Sequence, residues 1–248
     1  MNDTDDDVRL HRQQQIAALV AARVAPDLRS TVQAFIARYY EQVDPEDLQE
    51  RLPADLYGAA LSHWNFARRR EPGRSRVRAF NPTLEEHGWQ SKHTIVEIVN
   101  DDMPFLVDSV AMEANRHGGV LHLIIHPILP VERTPDGTLA GLATGASERF
   151  ESFIHLEVDR ITDQAALGAL AADLARVLDD VRAAVTDWRT MQEKARAIAA
   201  DIGRSPPPLP TDELEDGIAL LNWLADNHFT FLGYRCNDLV TVDDQDAL

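Results

Sequence analysis

The stretch IVEIVNDDMPFLVDSVAMEANRHGGVLHLIIHPILPV, residues 95–131, switches its hydrophobic period twice with almost no connecting chain, and this limits what can be built around it. Ile95, Val96, Ile98 and Val99 flank Glu97 in a β-branched run that pleats with at least one face buried. Asn100, Asp101 and Asp102 follow as an acidic turn suited to capping a helix, with Pro104 in the first turn, where a missing N–H costs nothing. Leu106, Val107, Val110, Ala111 and Ala114 then recur at helical spacing and give one apolar face. Arg116 and His117 fall in the last turn, where positive charge suits the helix dipole, and Gly118 or Gly119 can end the helix in the left-handed conformation. Residues 120–131 form a second apolar strand, whose Pro127 and Pro130 confine pairing near its far end to an edge or a bulge.

Upstream, residues 8–70 read as helical. One segment spans about 8–24, and a second runs from Pro26 to about Gln42. Asp44 and Pro45 are an N-cap and first-turn pair for a short third piece ending near Leu52, and Pro53 opens a fourth whose Leu56, Ala60, Leu61 and Trp64 share a face. The basic run RRREPGRSRVR, residues 68–78, reads as a solvated helix end and linker; a phosphate or acidic-partner site is the alternative, and no aromatic residues interleave as a nucleic-acid platform would need. Residues 77–82, VRAFNP, can add a short strand, and His87, Gly88 and Trp89 belong to a connecting loop.

Downstream, residues 132–147 are rich in turn formers, with Pro135, Asp136 and Gly137 as the turn of a long hairpin connection. Residues 148–158 alternate, with Phe150, Ile154, Leu156 and Val158 on one face and Glu151, His155 and Glu157 on a face expected to be solvated. Thr162 or Asp163 caps a long helix in which Leu167, Leu170, Leu174, Val177, Val181, Ala184, Trp188 and Met191 form a packing seam. Such a helix outruns a small sheet, so part of it is expected to meet another element or subunit. SPPPLP, residues 205–210, is a stiff linker; beyond it, Asp212 with Glu215 reads as a capping box for a helix through Ala225, and residues 228–235 as an aromatic strand. An isolated helix and strand bury little, so the pattern is that of a further domain cut short at residue 248.

Strand, helix, strand, hairpin, strand, helix is five-sixths of the ferredoxin-like βαββαβ plan, an α+β architecture with an antiparallel sheet and helices on one face. The missing fourth strand is expected from residues 77–82, with 228–235 as the alternative. The domain division expected is a helical N-terminal subdomain over 1–72, the βαββαβ module over 73–203, a proline linker over 204–210 and the start of a further domain over 211–248.

Three blocks, NDDMPFLVDSVAMEANRHG, HLIIHPILPVER and NWLADNHFTFLGYR, resemble the N-terminal portion of the large bacterial NAD-dependent glutamate dehydrogenases. The resemblance runs from about Arg9 onward. It implies that the parent enzyme deaminates L-glutamate to 2-oxoglutarate and ammonia with NAD, in a domain far C-terminal to these residues. It also implies an ACT-like module, a βαββαβ unit that often binds amino acids or builds subunit interfaces. An amino-acid effector and a homo-oligomer are the partners this suggests; a stand-alone ACT-type sensing module is the alternative.

No catalytic site is expected within the chain. No G-x-G-x-x-G follows a strand, so a nucleotide fingerprint is absent and NAD is expected only in the parent enzyme. Only Lys92 and Lys194 offer an amine, both in polar contexts. No metal site is expected: His122 and His126 on one strand stand about 13 Å apart, too far to share an ion, and read as edge histidines. Cys236 lacks a partner cysteine or a basic cluster and reads as an inert thiol. The one functional candidate is the acidic loop Asn100, Asp101, Asp102, Met103 and Pro104 at the open end of the sheet, where helix N-terminal amides can face an effector carboxylate. Its own acids oppose such a ligand, so a capping role competes with effector binding. With 41 acidic and 24 basic residues, the net charge of −17 disfavours nucleic acid and anionic membrane. A single cysteine, no apolar span and an acidic N-terminus make a cytoplasmic protein the expectation.

Overall fold

The computed structural model describes residues 3–143, 149–236, 240–242 and 245–247. They form two compact units, Met1–Asp179 and Asp180–Leu248. The first unit opens with α1 (Asp3–Arg23), α2 (Arg29–Tyr39), α3 (Pro45–Gln49) and α4 (Pro53–Ala67). Asp44 caps α3 as its sequence implies, accepting from the Glu46 amide at 2.9 Å. Arg9 of α1 donates to the Tyr40 and Val43 carbonyls, so one guanidinium satisfies backbone acceptors left open where α2 ends.

The sheet follows: β1 (Arg76–Phe80), β2 (Thr94–Asp101), β3 (Leu121–Ile125), β4 (Ile128–Arg133), β5 (Leu139–Leu142) and β6 (Phe150–Val158). The order is β1-β2-β6-β4-β5, with β3 also paired to β6, and every pairing is antiparallel. This is the strand order of the βαββαβ plan. The fourth place is filled from before the first strand, by β1, which pairs Arg76 to Phe80 against Val99 to Ile95. Residues 229–236, the alternative source, form no strand.

The prolines shape the other side of β6. The apolar run 120–131 breaks at His126 and Pro127 into β3 and β4, which pair with opposite ends of β6, and the Phe153 amide reaches the Pro127 carbonyl at 3.0 Å. The hairpin after β4 is also more regular than its turn-rich composition implies, since residues 139–142 add β5 beside it. The expected turn falls at Gly137, whose φ of +83° needs a glycine and whose carbonyl accepts from the Arg70 amide at 3.0 Å.

The largest departure concerns the face of β6 expected to be solvated. Glu151, His155 and Glu157 are all buried, because the N-terminal helices cover that face. Phe35 of α2 meets Phe153 with ring centroids 5.5 Å apart, and His63 of α4 meets it at 5.2 Å. Helix residues Phe35, Ile36, Leu56, Ala60 and Trp64 share one core with Val99, Leu129, Val131 and Phe153 of the sheet. Val96, Ile98, Ile154 and Leu156 lie on the opposite face and are fully buried, toward the apolar sides of α6 (Leu106–Arg116) and the first part of α7 (Gln164–Arg204). The sheet is thus a middle layer, with helices on both sides.

Two further corrections are local. Pro104 and Phe105 precede α6, which starts at Leu106 with no side-chain cap; Phe105 itself takes a left-handed φ of 69°. Residues 84–87 form the short helix α5, capped by Thr83 and ended by left-handed Gly88, and Trp89 packs against Gly58.

Asp163 caps α7 through the Ala165 and Ala166 amides. The helix is continuous over 41 residues, about 60 Å at 1.5 Å per residue. Its buried seam runs Leu167, Leu170, Leu174, Leu178 and Val181, stops over residues 186–190, where Trp188 is exposed, and resumes at Met191, Ala195 and Ala199. In the second unit α8 (Thr211–Trp223) starts without the capping box expected of Asp212 and Glu215. A π-helical turn, Leu224–His228, follows it, and the amide of Gln192 donates to Asn227 at 2.8 Å.

Arg70 is 1% exposed and lies on the turn at Gly137, bound to Glu151 and Asp101. A Cβ on Gly137 would stand 2.0 Å from the Arg70 carbonyl oxygen. Gly137→Ala and Arg70→Met are each expected to cost about 3 kcal/mol, read from the urea midpoint. An unchanged midpoint in both would show that this turn does not hold the buried ion pair.

Candidate functional site

The acidic loop divides into parts with different tasks. Asn100 and Asp101 are the last residues of β2, opposite Ser152 and Glu151. Asn100 is fully buried, and the Asp101 carboxylate binds Arg70 at 2.5 Å. Asp102 joins the loop to β6 twice: its amide donates to the Phe150 carbonyl at 3.1 Å, and its carboxylate accepts from the Ser152 hydroxyl at 2.7 Å. Met103 is half-buried and Pro104 exposed, ahead of α6. None of the three acidic-turn residues caps the helix: the Asp101 carboxylate is held by Arg70 and that of Asp102 by Ser152. Around the loop, Phe105, Ile128 and Phe150 are all about half exposed, an apolar rim at this end of the sheet.

Inside, the helix-covered face of the sheet carries a layer of buried charge. Glu151 is held by Arg70 at 2.8 Å and by a two-pronged contact from Arg133, at 2.7 and 2.8 Å. Glu97 accepts from Arg78 at 2.5 Å and from the Ser62 hydroxyl at 2.9 Å. Burial raises the Glu97 pKa, and the Arg78 charge partly offsets that. The run 68–78 is therefore mixed: Arg68, Arg69 and Arg74 are exposed, as a solvated helix end and linker implies, and the others turn inward. Arg70 and Arg78 neutralise sheet carboxylates, while Arg76 lies over the Phe66 ring at 4.4 Å.

His63 completes the layer. Its Nε2 sits 3.1 Å from the Ile98 carbonyl, which can only accept, so Nε2 carries the proton and Nδ1 accepts from the Tyr39 hydroxyl at 2.9 Å. Burial above all, then the nearness of His155 and Arg78, holds the His63 pKa well below its usual value. Burial likewise raises Tyr39 well above the usual phenol range, so it stays a neutral donor.

At the other end of the sheet, roughly 20 Å from the loop at 3.3 Å per strand residue, a cleft of about 680 Å³ opens between α3, α4, the 89–93 segment, β3 and β6. Its charged floor is Glu157, bound by Arg51 at 3.0 Å and by His93 Nδ1 at 3.0 Å. Burial alone would raise the Glu157 pKa; hydrogen bonding from His155, Arg51 and His93 reverses this and holds it far below the usual carboxylate range. The His93 ring stacks on His122 with centroids 4.1 Å apart and planes within 3°, and His122 Nε2 lies 2.7 Å from Asp159. His126 is elsewhere, half-buried at the break between β3 and β4, so the two histidines do not share a strand face. Among the described residues, one group of three could converge on a metal: Glu113, His117 and Asp173. Arg116 and Arg176 already neutralise its two carboxylates, so it acts as a clasp between α6 and α7. Cys236 is free and exposed.

The sequence profile described as glutamate dehydrogenase, ACT1 domain, matches residues 35–174, more than half of the chain. The chain belongs to this family. The match begins within α2 and ends within α7, so it takes in α4, the buried charge layer and the whole sheet. Among similar proteins, the NAD-specific glutamate dehydrogenase of Halomonas elongata is 40% identical over 235 residues, 92% of this chain. That of Pseudomonas aeruginosa is 37% identical over 90% of the chain, and that of Mycobacterium tuberculosis 28% over 75%. The chain spans only 12–14% of the length of these relatives.

The ACT1 sequence marks the strand–helix loop by its acidic run but gives little sign of the cleft. Its residues are scattered over Arg51, Trp89, His93, His122 and Glu157, and their one local sign was the alternation of charge on β6, which reads equally well as a wet strand.

Because the folded His63 pKa is depressed, the unfolded state binds more protons below about pH 6.5. Stability is therefore full above that pH and falls as pH drops. His63→Gln is expected to lower the urea midpoint at pH 7.5 yet flatten its decline between about pH 6.5 and 5. An equally steep decline in the variant would remove His63 as its cause.

Proposed function

We propose that the chain is the N-terminal, non-catalytic regulatory and assembly segment of an NAD-dependent glutamate dehydrogenase. In this reading the parent enzyme deaminates L-glutamate to 2-oxoglutarate and ammonia, and binds NAD, with residues outside this chain. The observation that carries it is the match over 92% of this chain to 14% of an NAD-specific glutamate dehydrogenase. The chemistry of the interior supports it too. Glu97, Glu151 and Glu157 are each engaged by arginine or histidine, an arrangement that holds layers together and offers no reacting group.

Regulation is assigned to the loop Asn100 to Pro104 as the place where an amino-acid effector binds. Two features favour it. Arg70 and the Ser152 hydroxyl draw the charge of Asp101 and Asp102 toward the sheet, and α6 begins without a side-chain cap. Assembly into a homo-oligomer is assigned to the apolar rim of Phe105, Ile128 and Phe150 beside it.

The test uses this chain and the full-length enzyme. The chain alone is expected to reduce no NAD with glutamate, while the full-length enzyme does. Light scattering of the chain is expected to give a mass above that of the monomer, which Phe150→Asp lowers. An amino acid is expected to raise its melting temperature saturably, and Asp102→Arg to abolish that shift. NADH formation by the chain alone would overturn the non-catalytic assignment. A monomeric mass would overturn assembly, and a shift unaltered by Asp102→Arg would overturn the loop.

A further inference from the structure

We infer that the end of the sheet bearing Phe105, Ile128 and Phe150 docks the outer face of α8 from a second copy of the chain. This rests on the assembly reading above and names the surface that covers the apolar rim.

The rim does not stand alone at that end. β1 begins there with Arg76, opposite Val99 near the close of β2, and the turn from α4 into β1 brings further arginines beside it. The Arg74 amide donates to the Glu71 carbonyl at 3.1 Å and Gly73 takes a φ of +71°, so the run folds back on itself. The Arg76 guanidinium then reaches the Arg69 carbonyl. Arg68, Arg69 and Arg74 are exposed and Arg76 is half-exposed; among the described residues none of the four has an ion-pair partner. Burial, then the like charges of Arg78 and Arg133, lowers the Arg76 pKa, as expected of a guanidinium without a carboxylate. Glu71 is the one acid within the run, and Asp101 and Asp102 nearby are held by Arg70 and Ser152. The result is a basic corner on a chain of net charge −17, so other copies of the chain are rich in surface that it attracts.

The choice among acidic surfaces follows from the rim. From β1 across β2 and β6 to β4 is three strand spacings, about 14 Å at about 4.8 Å each, which separates the basic corner from Ile128. A complementary element must carry acidic and then apolar side chains on one exposed face over a similar span. α8 does so. Asp212, Asp216, Leu220 and Trp223 follow spacings of four, four and three, which put them on one face of the helix, and all four are exposed. Ile218 lies on the other face, toward Gly203 of α7. The midpoint of the two acids and that of the two apolar residues are about 11 Å apart along the axis at about 1.5 Å per residue, within a side chain's reach of the span on the sheet. Acid then meets arginine, and Leu220 and Trp223 meet Phe105, Ile128 and Phe150, which removes two exposed apolar patches from water together.

Charge reversal on each partner tests the contact. One variant carries Arg69→Glu with Arg74→Glu, the other Asp212→Arg with Asp216→Arg, and all four side chains are exposed. Arg74→Glu and Asp216→Arg alone, paired in the same way, stand in for either double change that fails to fold. Light scattering is expected to give each variant alone a mass falling toward the 27.7 kDa of one chain, with association weakened by about tenfold or more. An equimolar mixture of the two is expected to regain the mass of the unaltered chain, because each copy then offers the charge the other lacks. Variants that both keep the full mass, or a mixture that stays monomeric, would overturn this docking and leave assembly through the rim in place. A monomeric mass for the unaltered chain would overturn assembly itself, and this docking with it.

Discussion

The fold depends on carboxylates held inside it. Glu97 and Glu151 are fully buried on the two central strands, where an uncompensated charge would cost several kcal/mol. Each is met by arginine: Arg78 for Glu97, Arg70 and Arg133 for Glu151. Arg70 and Arg78 come from the connection between α4 and β1 and its entry into β1, so that connection has to lie across the sheet edge for the charges to meet. This also explains why β1 occupies the fourth strand position, since pairing Arg78 opposite Glu97 satisfies the sheet edge and the carboxylate together.

Once that layer is in place, the N-terminal helices cease to be an appendage. Phe35 and His63 pack directly on Phe153, His63 also reaches the β2 backbone, and Tyr39 meets the His155 ring. A sheet with apolar residues toward α6 and α7 and a mixed polar face toward α2 and α4 can be covered on both sides only if its buried charges find partners. The hydroxyl of Tyr39, the imidazole of His63 and the hydroxyl of Ser62 do this from the helices, Arg70 does it from the connection, and Arg78 and Arg133 do it from β1 and β4. Polar pairing of this kind fixes a single register, because sliding either layer by one residue would strand a charge.

The two ends of the sheet then differ in character. At one end the acids of the strand–helix loop are drawn inward, and an apolar rim remains outside. At the other, Arg51, His93 and Glu157 form the floor of an open cleft.

Local pattern was enough for much of this. The β-branched run 94–101, the apolar stripe of α6, the Asp44–Pro45 and Asp163 caps and the hairpin turn at Gly137 all follow from short-range sterics and hydrogen bonding. So does the need for a fourth strand beside β2, which residues 76–80 supply. The burial of Glu151, His155 and Glu157 could not be read the same way. Alternation on β6 reports that its two faces differ, but whether the polar face meets water or a helix depends on what the chain brings back from more than eighty residues earlier. The fate of Arg70 and Arg78 was hidden for the same reason, since an arginine beside solvent and one beside a buried carboxylate look identical in sequence. Sequence alone determined the elements and their periodicity, because those are set by neighbours along the chain. Only the tertiary structure decided which charges went inside, because that depends on which partners the folded chain brings within reach.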